Sequence, residues 1–221
     1  MIYKEILRWY GLLSGYPLYL AYFKRKTYYE DKSVQSRWIK GGALIVSNHY
    51  HVYDFIVNAG LFPFRKLYVV LKSDIYKHKF TAWGMSIFGG IKSERDTMGM
   101  RFIDESVAHL KKGRLVQIFP EAYITEDGRM REFKTGYLMI AQRADLPIIP
   151  VITDGNYGWN KRTHVIIGKP ILLSDYCPYA NPNREQMTEL NRIVRGKCLE
   201  LQEELHRRIE EDRAKKSRKG R

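Results

Sequence analysis

Asn48-His49-Tyr50-His51-Val52-Tyr53-Asp54 follows directly on the apolar run Ala43-Leu44-Ile45-Val46-Ser47, and the junction between the two sets the reading of the whole chain. The run is short, rich in β-branched residues and preceded by Gly41-Gly42, the pattern of a buried strand ending at the histidine. Strand ends are where α/β folds place their chemistry. The interval from His49 to Asp54 lets the histidine sit on the turn leaving the strand while the carboxylate folds back from the first turn of the next helix. A carboxylate so placed holds one imidazole nitrogen protonated and leaves the other free to accept a proton. No Ser or Cys stands inside the stretch, so the pair suits deprotonation of an incoming hydroxyl rather than of a nucleophile belonging to the chain. A structural hydrogen bond or helix cap is the alternative that this spacing leaves open.

A metal reading starts from His49-x-His51 followed by Asp54, an alternation that binuclear hydrolases use at strand ends. No further histidine follows Asp54 closely, and His78, His109, His164 and His206 stand in no ligand spacing, so no metal is expected. Working outward, residues 67–71 read as a second buried strand ending at Lys72, residues 115–119 as a third ending at Pro120-Glu121, residues 148–152 as a fourth and residues 164–167 as a fifth. Helices are expected over residues 55–61, from Thr97 to the stop at Gly113, from Gly136 to near Ala144, and from about Asn183 through Met187, Leu190, Val194, Cys198, Leu201, Leu205 and Ile209. Strands alternating with helices make this an α/β fold, a mixed sheet flanked by helices. His49, Lys72 and Glu121 then converge where strands present their carboxyl ends to one crevice. Gly89-Gly90 permits a tight turn that brings Lys92 and Arg95 forward as cations, Arg95 being suited to phosphate through its planar fork. Salt bridges to Glu94 or Asp96 are the competing use of Arg95. Lys134 is a further cation candidate, with an exposed helix start as its alternative.

Four blocks in order carry a family resemblance: Asn48-His49 with Asp54; Gly89-Gly90 with Arg95; Phe119-Pro120-Glu121; and Pro147 through Val151. Together they resemble the glycerolipid acyltransferases, the 1-acyl-glycerol-3-phosphate (lysophosphatidic acid) acyltransferases, over roughly residues 43–170. The resemblance implies acyl transfer from acyl-CoA or acyl-acyl carrier protein, as co-substrate, to a lysophospholipid hydroxyl. His49 and Asp54 would be the catalytic pair, with Asn48, Lys72, Gly89, Gly90, Lys92, Arg95, Glu121 and Lys134 on the substrate side, Glu121 holding the acceptor's glycerol part. No cofactor is implied. The third block departs from the family pattern at Ala122-Tyr123-Ile124, where the family commonly ends in Arg, so one phosphate ligand is missing. Either Lys72, Lys92, Arg95 and Lys134 suffice or the acceptor is a different lysolipid, and a non-enzymatic basic protein at a membrane surface is the alternative of another class.

At 221 residues with 44% hydrophobic content, the chain suits one domain with a full core. Its formal net charge of +14 predicts attraction to anionic surfaces: nucleic acid, anionic lipid or an acidic carrier. No nucleic-acid motif accompanies the charge, so lipid and carrier are expected and nucleic acid is not. Cys177 and Cys198 stand in no redox or metal spacing, which suits a reducing compartment. Residues 9–23 are uncharged, aromatic and flanked by cations, shorter than the ~20 residues that span a bilayer, and interrupted by Gly11, Gly15 and Pro17. That composition fits a helical segment lying in the membrane interface, on the cytoplasmic face, with a signal peptide or a core-packing helix as alternatives. The expected organisation is residues 1–40 as interfacial segment, 41–210 as acyltransferase domain and 211–221 as a disordered basic tail.

Overall fold

The computed structural model describes residues 2–93, 100–125, 127–178 and 181–219. In chain order the elements are α1 (Ile2–Phe23), β1 (Lys26–Tyr29), β2 (Ala43–Ser47), α2 (Asp54–Leu61), β3 (Leu67–Lys72), α3 (Lys79–Phe88) and β4 (Gly90–Ser93). There follow α4 (Met100–Lys111), β5 (Leu115–Ile118), α5 (Gly136–Ala144), β6 (Ile148–Thr153), β7 (His164–Ile167) and α6 (Arg184–Lys219). Seven strands form one mixed sheet in the order β1-β7-β6-β2-β5-β3-β4, parallel throughout except where β6 meets β7.

Side-chain alternation divides the core between the two faces of this sheet. Leu44 and Val46 of β2 join α4, α5 and α6 on one face, whereas Ala43 and Ile45 join α1 and α2 on the other. All five residues of β2 are buried, as expected of a central strand covered on both sides. Chain direction then creates the crevice. From β2 the chain leaves through α2 to β3, beyond β5; from β5 it leaves through α5, on the opposite face, to β6 on the far side of β2. Adjacent strands whose exits part in this way open a cleft at their carboxyl ends. Those ends are Ser47 and Ile118, so the turns they feed begin with Asn48-His49 and Phe119-Pro120-Glu121.

Several expectations are corrected. Residues 2–23 form one helix through Gly11, Gly15 and Pro17. Pro17 is exposed, while Tyr19 and Phe23 on the inner side are buried, so packing holds the helix across the one lost backbone bond. The division at residue 40 is not seen, because β1 is an edge strand of the same sheet, paired with β7. Nor does a disordered tail begin at residue 211: α6 runs on through Lys219, with Asp212 bound to Lys26 and to the hydroxyl of Tyr28. Gly89 and Gly90 do not line the crevice. Gly89 closes α3 at φ 93°, and Gly90 opens β4 beside Val69, three residues before Lys72. At ~3.3 Å per residue that places it about 10 Å below the carboxyl ends. Arg95, Glu94, Asp96 and the helix start at Thr97 lie outside the described residues.

Candidate active site

Asp54 is the first residue of α2 and is completely buried. Its Oδ2 accepts three hydrogen bonds, from the backbone N–H of Tyr50 at 2.7 Å, from that of His51 at 2.8 Å, and from Nδ1 of His49 at 2.9 Å. Its Oδ1 accepts the hydroxyl proton of Tyr157. The turn 48–54 is thus wound around one carboxylate, which fixes the imidazole tautomer with hydrogen on Nδ1. Nε2 of His49 has no hydrogen-bond partner among the described residues, and the side chain is 20% exposed. One face of the ring stacks on Phe119 with centroids 4.1 Å apart. With Nδ1 donating to Asp54, Nε2 is the ring nitrogen left to accept a proton.

Glu121 is buried against this turn. It is 2% exposed; Oε1 accepts the backbone N–H of His49 at 3.0 Å, and Oε2 accepts from Thr125 Oγ1 at 3.1 Å and from the N–H of Arg131 at 2.8 Å. Burial raises its carboxyl above the ordinary range, and those donors oppose the rise. Its carboxylate therefore braces the turn that carries His49, tying that turn to Thr125 and to the backbone at Arg131. Asn48 likewise serves positioning. It is fully buried, with Nδ2 donating to the carbonyl of Thr153 at 2.9 Å and Oδ1 accepting the Thr153 N–H at 3.0 Å, which ties the end of β2 to the end of β6.

Of the expected cations, Lys72 and Lys92 stand one register step apart on the paired strands β3 and β4, and Lys134 lies on the segment leading into α5. Lys72 is exposed at the end of β3 and is paired with Asp74. Lys92 is exposed on β4, an edge strand. Lys134 is exposed but enters the crevice rim through its backbone, its N–H donating to the carbonyl of Pro120 at 2.9 Å. His51 turns aside: its Nδ1 accepts the N–H of Tyr53 at 3.2 Å and its ring packs on Tyr53 at 4.5 Å. Two residues were missed. Tyr157 follows the fourth block and is distant in sequence from Asp54, so no local pattern marks it. Arg131 carries no motif either; its backbone N–H donates to Glu121 and its side chain is exposed.

A family model described as Acyltransferase matches residues 25–154, more than half of the chain and all of the turns just described. The chain belongs to the Acyltransferase family. Relatives include the chloroplastic 1-acyl-sn-glycerol-3-phosphate acyltransferase LPAT1 of Arabidopsis thaliana, 27% identical over 66% of this chain and 44% of that protein. The 1-acyl-sn-glycerol-3-phosphate acyltransferase of Pseudomonas aeruginosa is 27% identical over 53% of this chain and 46% of its own length. This acyltransferase-family chain spans about half the length of the curated relatives it matches. Among solved structures, the 1-acyl-sn-glycerophosphate (LPA) acyltransferase PlsC of Thermotoga maritima has the same fold, with a TM-score of 0.59 over 82% of this chain and 73% of that one at 18% identity.

Proposed function

We propose that the chain transfers a fatty acyl group from a thioester, acyl-CoA or acyl-acyl carrier protein, to the free hydroxyl of 1-acylglycerol-3-phosphate at a membrane surface. The observation that carries this is His49, bound through Nδ1 to a buried carboxylate and open at Nε2, at the point where the exits of β2 and β5 part. Nε2 takes the hydroxyl proton as the oxygen attacks the thioester carbonyl; the C–S bond then breaks and the proton passes to the departing thiolate. Asp54 stabilises the imidazolium between the two transfers. The sequence of steps needs neither a metal nor a prosthetic group.

The acceptor assignment draws on the substrate named for the relatives and on the chain's cations. The phosphate would be met by Arg95, with Lys72, Lys92 and Lys134 as further cations; Arg131 and Lys134, whose backbone N–H groups bond to Glu121 and Pro120, support this reading as exposed cations close in the chain to the third block. The surface assignment draws on α1. No helix among the described residues is long and apolar enough to cross a membrane, and α1 instead leaves Tyr10 and Leu13 73% exposed. A helix of that kind suits the interface of the cytoplasmic leaflet, whose anionic lipids match a net charge of +14.

The test is acyl transfer measured on a panel of lysolipids with both thioester donors. Lysophosphatidic acid should be the preferred acceptor, His49→Ala should lower the rate by about two to four orders of magnitude, and His51→Ala should do far less. Preference for a zwitterionic lysolipid would overturn the acceptor. Equal losses at both histidines, restored by zinc, would overturn the base.

A further inference from the structure

The outer face of α1 is uncharged from end to end. At helical spacing Tyr3, Ile6, Tyr10, Leu13 and Leu20 share one side, all exposed, while Arg8, Tyr19 and Phe23 occupy the buried side. A second element stands beside α1. On a flank of α1 away from the outer row, Lys4 Nζ donates to Ser86 Oγ of α3 at 3.1 Å, and a β-carbon added at Gly11 would lie 3.6 Å from the Phe88 ring. Phe80, Trp83 and Ser86 follow each other at three-residue spacing on one face of α3, so the face that meets Lys4 extends to both rings. Phe80 is 81% exposed, Trp83 is 47% exposed, and their rings lie 6.2 Å apart. Two large aromatic side chains left in water at adjacent positions are what a lipid interface takes up. Exposed Lys77, paired with Asp74, and exposed Lys79 stand immediately before them in the chain, cations of the sign that anionic head groups attract.

We infer that α3 is a second lipid-contacting element, with Phe80 and Trp83 inserted among the head groups of an anionic bilayer beside the outer face of α1. This deepens the membrane-surface reading given above and rests on it. Two helices fix an orientation that one cannot. α3 begins shortly after β3 ends at Lys72, on the side of the sheet where the carboxyl ends lie, so the layer would lie against the same end as His49. The occupant is a lipid surface rather than an acidic carrier protein, because the charges flank an aromatic pair instead of covering the face.

The experiment uses the full chain with vesicles of phosphatidylcholine and phosphatidylglycerol. Trp9, Trp38 and Trp159 are replaced by Phe, leaving Trp83 as sole reporter, and brominated lipids are introduced. Trp83 emission should shift to the blue and be quenched, and in the otherwise native chain Phe80→Ala with Trp83→Ala should lower the vesicle partition coefficient by about tenfold or more. Both side chains are exposed, and circular dichroism should show the native melt. Co-sedimentation with vesicles while Trp83 stays unquenched would overturn the inference and leave α1 as the lipid contact. Failure of the native chain to sediment would overturn the surface reading itself, whereas loss of acyl transfer with quenching intact would fall on the reaction alone. Shielding of Trp83 by acyl carrier protein but not by vesicles would also overturn the inference.

Discussion

Asp54 shows how much a residue's partners say that its spacing does not. His164 and Asp154 form another His–Asp pair, with Nδ1 and Oδ2 2.7 Å apart, but there Oδ1 is spent on the N–H groups of His164 and Asn156, so the carboxylate clamps the turn leading into β7. Around Asp54 the backbone donors belong to the turn that carries His49, and the last oxygen is taken by Tyr157. That hydroxyl is itself driven well above the ordinary tyrosine range, first by burial and then by the carboxylate it faces, so it remains a proton donor throughout. Tyr157→Phe removes the donor while keeping the ring packed against Phe23. It should lower kcat by roughly tenfold, the worth of one hydrogen bond to a charged group, and leave both KM values unchanged because no substrate is touched. Steady-state kinetics on both substrates checks this, and an unaltered kcat would reduce Tyr157 to packing. The contact between His49 and Asp54 was legible in the motif. Tyr157 was not, because a contact between positions 103 residues apart leaves no periodic trace.

At the scale of elements, the strands that lie in the middle of the sheet were the legible ones. β2, β5, β6 and β7 announce themselves as apolar runs because most or all of their residues are buried, and β3 does so although it is buried only at Leu67 and Val69. The edge strands β1 and β4 do not: Lys26-Thr27-Tyr28-Tyr29 and Gly90-Ile91-Lys92-Ser93 are half wet and mixed in composition, and pairing with β7 and β3 makes them strands. α1 was divided in the sequence by its helix breakers and is continuous in the fold, held to α2 by Tyr19, whose hydroxyl donates to the carbonyl of Val57 at 3.1 Å. Gly60 makes that approach possible, since a β-carbon there would overlap the Tyr19 ring. Gly60→Ala therefore separates two effects of opposite sign. Alanine raises helix propensity by up to ~1 kcal/mol, whereas displacing a buried ring costs about 1 to 3 kcal/mol. The variant should be less stable in urea denaturation, and an increase in stability would mean that α1 is not seated on α2 through this ring.

The whole molecule must keep a +14 chain folded, and the arrangement of cations around one histidine gives that burden a pH dependence. His109 of α4 stacks on Tyr68 of β3 at 3.7 Å and is partly buried, with its side chain 17% exposed. Its Nδ1 accepts a hydrogen bond from the Arg114 guanidinium at 2.9 Å, which only an unprotonated nitrogen can do. Burial first, then the charges of Arg114, Lys112 and Lys66, hold its pKa down to about 4, and Glu105, 4.0 Å from Nε2, is too distant to restore it. In the unfolded chain the same ring titrates near its ordinary value of about 6.5. Between those values the unfolded state binds the extra proton, so stability rises with pH across the window and is lost as the pH falls from 6.5 towards 4, by roughly 1 to 3 kcal/mol. Carboxylates with lowered values, such as Glu5 and Glu204, also lose stability in acid, while the raised value of Glu121 acts in the opposite sense. His109→Phe isolates the histidine, because it keeps an aromatic ring on Tyr68 and leaves those carboxylates in place. The stability difference between native chain and variant, measured by urea denaturation at pH 7 and again at pH 4.5, should move in the variant's favour on acidification. A difference that stays constant would mean that His109 accepts its proton without disturbing the contact between α4, Arg114 and β3.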